Sequence, residues 1–185
     1  MSKIQSLALG PRCLVQGHRT DANTGFCPWF DLLNLKELSI EWMPSDLIAK
    51  LHEGCGNQLQ FPSIRKLFLG AKDFDVVERI VEACPHLEEL GLLLYLASGA
   101  VLRFNEMAPE AFGKTLSSLT VRFWGPMPNN WSQHGSPLTC LPRLSRLTSL
   151  EIYSRILFGW YDSLLINICP PVESLLPPSL VTLKV

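Results

Sequence analysis

Four histidines and six cysteines are the side chains of this sequence with the widest chemical reach. They are His18, His52, His86 and His134, and Cys13, Cys27, Cys55, Cys84, Cys140 and Cys169. A zinc site needs closely spaced ligand pairs, two of them, to complete a tetrahedron. No Cys-x-x-Cys pair occurs, His86 lies too tightly against Cys84-Pro85 for a two-ligand clip, and Cys13 with His18 has no second pair. A Cys–His nucleophile can assemble from distant residues, but no local signature marks one here. Gly54-Cys55-Gly56 matches the opening of a phosphate loop, yet it follows a predicted helix and lacks the third glycine and the lysine. A helix-ending turn accounts for it. No catalytic, cofactor-binding or metal site is therefore expected, and the chain reads as a non-enzyme.

Composition narrows the partners. The 185 residues are 47% hydrophobic and 18% charged, enough apolar material for a sizeable core and too little charge for a disordered chain. Sixteen basic and 17 acidic residues give a net charge of −1 without long runs, so no basic field exists for nucleic acid. Five tryptophans and nine phenylalanines could stack on bases, but no arginine or lysine stripe interleaves with them. The longest apolar run, Gly91 to Leu102, is too short to span a bilayer. The N-terminus, Met1-Ser-Lys-Ile-Gln-Ser-Leu, lacks the apolar core of a signal peptide. The expected compartment is the cytoplasm or nucleus, with the cysteines reduced and mostly buried as small hydrophobes. Asn130-Trp131-Ser132 is then a chance glycosylation sequon.

A phrase of the form apolar-x-x-Leu-x-apolar must organise everything else. It occurs as Ile4-x-x-Leu7-x-Leu9, Leu35-x-x-Leu38-x-Ile40, Ile64-x-x-Leu67-x-Leu69 and Leu87-x-x-Leu90-x-Leu92. It continues as Leu116-x-x-Leu119-x-Val121, Leu147-x-x-Leu150-x-Ile152 and Leu180-x-x-Leu183-x-Val185. Successive phrases begin 31, 29, 23, 29, 31 and 33 residues apart. The last two apolar positions alternate with polar ones and so share one face of a short strand. The first stands where the chain turns into that strand. One such unit cannot bury its apolar face alone, whereas stacked units make a continuous core. The predicted fold is α/β, a leucine-rich-repeat solenoid of about six to seven irregular repeats. A curved parallel sheet should line its concave face, with helices and loops on the convex side, as one domain over residues 1–185.

Between the phrases run the return paths. Pro44-Ser45-Asp46 opens a predicted helix with Leu47, Ile48 and Leu51 on one side. The clearest helix is predicted from Asp73 to Ala83, with Val76, Val77, Ile80 and Val81 inward and Glu78, Arg79 and Glu82 toward water. Cys84-Pro85 ends it. Weaker candidates are Ala108 to Lys114 and Ser163 to Cys169. Gly125 to Pro142 holds four prolines and two glycines and is expected to be a long irregular loop, and residues 11–34 are turn-rich.

Phe61-Pro62-Ser-Ile64-Arg-Lys-Leu67, Cys84-Pro85-His-Leu87-Glu-Glu-Leu90 and Leu176-Pro177-Pro178-Ser-Leu180-Val-Thr-Leu183 resemble the irregular leucine-rich repeats of fungal F-box-type proteins. That resemblance implies a role in substrate recognition for a ubiquitin ligase, the F-box holding the adaptor and the repeats the target. The F-box itself is not found. Its nearest match, Met43-Pro44-Ser-Asp46-Leu47-Ile48-Ala-Lys-Leu51, falls between two repeat strands at ordinary spacing and reads as a convex helix.

Residues alternating with the strand leucines define the candidate binding face: Glu37, Ser39, Glu41, Lys66, Phe68, Glu89, Leu93, Thr120, Arg122, Glu151 and Tyr153. Phe68, Leu93 and Tyr153 are apolar or aromatic where solvent is expected, as interface anchors are. Phe68 and Leu93 packing only on each other is an equal alternative. The expected function is a non-catalytic module binding a protein partner. An enzyme with a site built from loops such as 125–142 is the competing class. Both ends fall inside repeat phrases without polar caps, so the chain is expected to be a portion of a longer solenoid.

Overall fold

A computed structural model describes residues 5–9, 34–43, 60–71, 74–95, 100–124, 138–153, 157 and 171–185. Seven strands form one open sheet: β1 (Ser6–Leu9), β2 (Glu37–Met43), β3 (Lys66–Ala71), β4 (Glu89–Tyr95), β5 (Ser118–Trp124), β6 (Ser149–Ile152) and β7 (Thr182–Lys184). They lie side by side in chain order, and every pairing is parallel. The protein is therefore α/β, with few helices and a single seven-stranded parallel sheet among the described residues.

The register follows the leucines. Leu7, Leu38, Leu67, Leu90, Leu119, Leu150 and Leu183 are paired in succession across the sheet. Leu9, Ile40, Leu69, Leu92, Val121 and Ile152 make a second row two residues on. A slip of one residue would turn a strand's apolar set to the other face, so burying these rows fixes the alignment. Among the interior members of the first row, Leu38 through Leu150, none is more than 4% exposed.

The entry to each strand is equally regular. Gln5, Lys36, Arg65, Glu88, Ser117 and Thr148 each offer one carbonyl that accepts two N–H groups from the start of the next strand, at 2.8–3.1 Å. Just upstream, Ile64, Leu87, Leu147 and Leu180 donate their N–H to the carbonyls of Phe61, Cys84, Leu144 and Pro177. These are tight turns, and three of the four carry proline at the second position (Pro62, Pro85 and Pro178), where its fixed φ suits the bend. The residue opening each turn is buried, which explains why Phe61 and Cys84 occupy equivalent places in the chain.

Two helices cover the leucine-bearing face. Helix α1 (Phe74–Glu82) falls almost where the periodicity puts it, with Val76, Val77, Ile80 and Val81 buried. Helix α2 (Ala100–Phe112) corrects the sequence reading, which places a helix only from Ala108 to Lys114. Pro109 and the glycines flanking this region break the propensity signal, but Val101, Phe104, Met107, Ala108 and Phe112 make a continuous buried stripe. Burying that stripe outweighs the one backbone bond that Pro109 removes. Phe104 packs edge-on to Phe74 and tilted against Phe112, with ring centroids 6.4 and 6.0 Å apart. At the surface of the helix pair, Arg103 is ion-paired to Asp75 and Glu78 and lies over the Phe74 ring at 5.5 Å. Glu78 lies on the water-facing side of the helix, as its position in the sequence suggests, but is half-buried by this pairing.

The expected loop from Gly125 to Pro142 also needs correction at its end. Leu138, Cys140 and Leu141 are buried, Leu141–Arg143 forms a turn of 3-10 helix, and the Cys140 N–H is held by Asn105 Oδ1 at 3.1 Å. Apolar side chains pull this stretch into the core despite its prolines. A short helix α3 (Val172–Leu175) precedes β7. The predicted helices near Pro44 and Ser163–Cys169, the turn-rich 11–34 segment and residues 125–137 lie almost wholly outside the described residues, as do all the cysteines but Cys84 and Cys140. No helix among the described residues is long and apolar enough to cross a membrane.

Candidate functional site

Parallel sheets are ordinarily covered on both faces. Here the described side chains alternating with the buried rows are exposed or half-buried, except at Gly70, which the Glu41 carbonyl covers, so the second face is open over the described residues. Its first row runs Ser6, Glu37, Lys66, Glu89, Ser118, Ser149 and Thr182; its second runs Ala8, Ser39, Phe68, Gly91, Thr120, Glu151 and Lys184. Gly70, Leu93 and Arg122 start a third. All eleven residues selected from the sequence lie on or beside this face, with Glu41 in β2 and Tyr153 just beyond β6.

The register brings charges together that are far apart in the chain. Lys66 Nζ stands between two carboxylates of its own row, 3.1 Å from Glu89 and 3.8 Å from Glu37. The Glu89 hydrogen bond and charge, with a lesser part from Glu37, raise the Lys66 pKa above its ordinary value and keep the ammonium charged. Across β5–β7 the arrangement inverts. Arg122 donates to Glu151 Oε1 from Nε at 2.8 Å and from Nη2 at 2.5 Å, and Lys184 Nζ lies 3.9 Å from the other oxygen. These pairs are solvent-exposed and screened by water, so they add little to stability; their value lies in placing charge. Lys184 also alternates with the strand leucines, at the phrase position of Glu151, although it is not among the eleven candidates.

Apolar groups lie beside the two clusters. Phe68 is half-buried with its ring laid over Gly91, where a β-carbon would stand 2.5 Å from Phe68 Cδ2. Only glycine leaves the ring room to lie flat. Leu93 is half-buried beside it, paired with Gly70, while Tyr153 is 54% exposed. A shallow groove of about 370 Å³ runs from Glu37, Lys66 and Glu89 past Phe68 to Arg122. A second hollow, about 710 Å³, is bounded by Arg122, Glu151, Tyr153, Lys184 and Val185.

No family model, curated protein or solved structure matches this chain. The reading of the site therefore rests on its geometry.

Among the described residues, the remaining cysteines and histidine lie away from this face. His86 is exposed in the turn before β4, and no group of three or more metal-ligating side chains is assembled among the described residues. Cys84 and Cys140 are free and buried, and desolvation pushes both thiols up to about 12. The thiolate is the reactive form, so both should resist iodoacetamide at pH 8 in the folded protein and react fully in denaturant. Mass mapping of the two alkylated positions checks this; rapid native labelling would place them at the surface. The linked effect on stability has a definite sign. A thiol whose folded pKa is raised supports the fold below its unfolded value near 9, and that support is lost as pH climbs toward 12. Melting temperature should therefore fall as pH is raised above about 9.

Proposed function

We propose that this chain is a non-catalytic leucine-rich-repeat solenoid that binds a protein partner across the open face of its parallel sheet. The observation that carries the reading is that face: over the described residues, one side of a parallel sheet is exposed or half-buried and bears mixed charge with aromatic and aliphatic groups beside it. The repeat reading is supported by the unit that recurs along the chain: a tight turn, a two-N–H carbonyl clasp and a strand with the same leucine pairing. Resemblance of the Cys-Pro-x-Leu-x-x-Leu phrases to fungal F-box-type proteins makes target recognition for a ubiquitin ligase the specific proposal. Free buried thiols accord with the reducing cytoplasm or nucleus as its compartment.

Tyr153 is the side chain to test first, because it is large, aromatic and more than half exposed. A photo-cross-linking amino acid at Tyr153 should trap the partner in cells, and one at the exposed Glu110 of α2 should not. Mass spectrometry of the adduct would show whether ubiquitin-ligase subunits accompany it. Tyr153→Ala should weaken binding by roughly tenfold or more, as truncated interface anchors do, while shifting melting by under about 2 °C. Adducts formed equally at both positions would sink the reading. Phe68→Ala is a poorer probe: the ring packs on Gly91, so its loss lowers stability as well.

A further inference from the structure

The open face is bipolar, and the two poles are too far apart to cancel. On β2–β4, Glu37 and Glu89 share one cation, Lys66, and the exposed Glu41 adds to the acidic side. On β5–β7, Arg122 and Lys184 share one carboxylate, Glu151. Lys66 on β3 and Glu151 on β6 are three strands apart, about 14 Å at the usual strand spacing of about 4.8 Å. That exceeds the screening length of about 10 Å at 0.1 M salt, so an approaching ligand meets an acidic pole and a basic pole separately. The half-buried Phe68 stands on β3 within the acidic pole, its ring laid over Gly91 on the side toward β5, and Arg122 lines both hollows, which makes the path from one pole to the other continuous.

Resting on the protein-binding reading above, we infer that the bound element is an extended peptide segment with segregated charges. Its acidic end lies over Arg122 and Lys184, its basic end over Glu37 and Glu89, and an apolar side chain settles against Phe68. From β2 to β7 is five strand spacings, about 24 Å, which an extended segment of about seven residues spans at about 3.3 Å each. A nucleic acid does not fit this pattern, since its uniform phosphate charge would meet the Glu37–Glu89 pole. A second copy of the chain packed face to face is also charge-complementary, and the test below separates the two.

Random linear heptapeptides displayed on phage are selected on the full chain at about 0.1 M salt. The expected enrichment is Asp or Glu gathered at one end, Lys or Arg at the other, and an apolar residue beside the basic end, where Phe68 lies. Arg122→Glu with Lys184→Glu should lower the affinity of a selected peptide at least tenfold, with melting little changed because both residues are exposed. Glu37→Lys with Glu89→Lys should do the same from the opposite pole. No enrichment, peptides of uniform or scattered charge, or affinity indifferent to both reversals would overturn the inference. Concentration-dependent dimerisation abolished by the same reversals would assign the poles to a second copy and also overturn it. An adduct at Tyr153 together with any of these failures leaves the protein-binding reading standing and removes only the bipolar peptide. Absence of a Tyr153 adduct while bipolar peptides are enriched removes the cellular partner and keeps the peptide.

Discussion

Gly70→Ala is expected to destabilise the protein by about 2 kcal/mol and to lower its melting temperature by roughly 4–8 °C. The reason is local. The pairing of β2 with β3 slips between Ile40 and Met43, and the irregularity lays the Glu41 carbonyl against the outer side of Gly70. An added β-carbon would fall inside the van der Waals envelope of that oxygen. Overpacking typically costs about 1–3 kcal/mol, and the upper end applies because a paired backbone cannot swing aside as a side chain can. Alanine's smaller entropy loss on folding offsets about 0.4–1 kcal/mol of it. Gly91→Ala is the informative control. Its new methyl meets the Phe68 ring, which can rotate away, so the loss should stay near or below about 1 kcal/mol. Thermal melts of the two variants side by side decide the matter. Equal and small shifts would mean that β2 runs straight past Gly70.

The contrast between those glycines shows what a sequence can and cannot disclose. The strands were legible because each phrase states its own solution: an anchoring apolar residue, then two apolar positions two apart, with a proline-bearing turn ahead of three of them. Repetition then sets the register, since one alignment alone keeps every leucine on one face. Helix α1 was legible for the same reason, its valines and isoleucine recurring at helical spacing. Helix α2 was not, because Pro109 sits inside it and the apolar run ahead of it belongs partly to β4 and partly to the helix. Ser98-Gly99 is the one break between strand and helix, and an otherwise unbroken apolar run from Gly91 to Leu102 masks it. The ordered stretch around Cys140 was hidden likewise, its attachment depending on Asn105 far upstream.

For the binding face, alternation alone identified the eleven residues, but not their relations. Lys66 meets Glu89 only because β3 and β4 align in one particular register, and Arg122 reaches diagonally to Glu151 on the next strand. Ion pairs between neighbouring strands come from residues two to three dozen positions apart, so neither pole is visible until the strands are stacked. The flat seating of Phe68 on Gly91 is also a product of stacking; the sequence offered Leu93 as its neighbour with equal reason.

Leu90→Ala is expected to cost about 3 kcal/mol, whereas Leu183→Ala, at the same place in its phrase, should cost about 1 kcal/mol or less. Leu90 is 2% exposed and is flanked in register by Leu67 and Leu119; truncation there leaves a cavity that two neighbouring strands cannot both close. Leu183 is 38% exposed on the last strand of the sheet, with Val181 and Val185 still more open. Its lost methyls already touch water. For a chain of this size, 3 kcal/mol corresponds to roughly 6–12 °C in melting temperature and 1 kcal/mol to roughly 2–4 °C. If stability is a sum of units and their nearest-neighbour contacts, amide protection should peak across β3–β5 and decline toward β7. Hydrogen exchange on the intact chain reads that gradient directly. Equal losses from the two substitutions, with uniform protection, would mean a single all-or-none core in which position along the sheet is immaterial; a graded response would make each phrase a separable layer, stabilised by the pair of layers that enclose it.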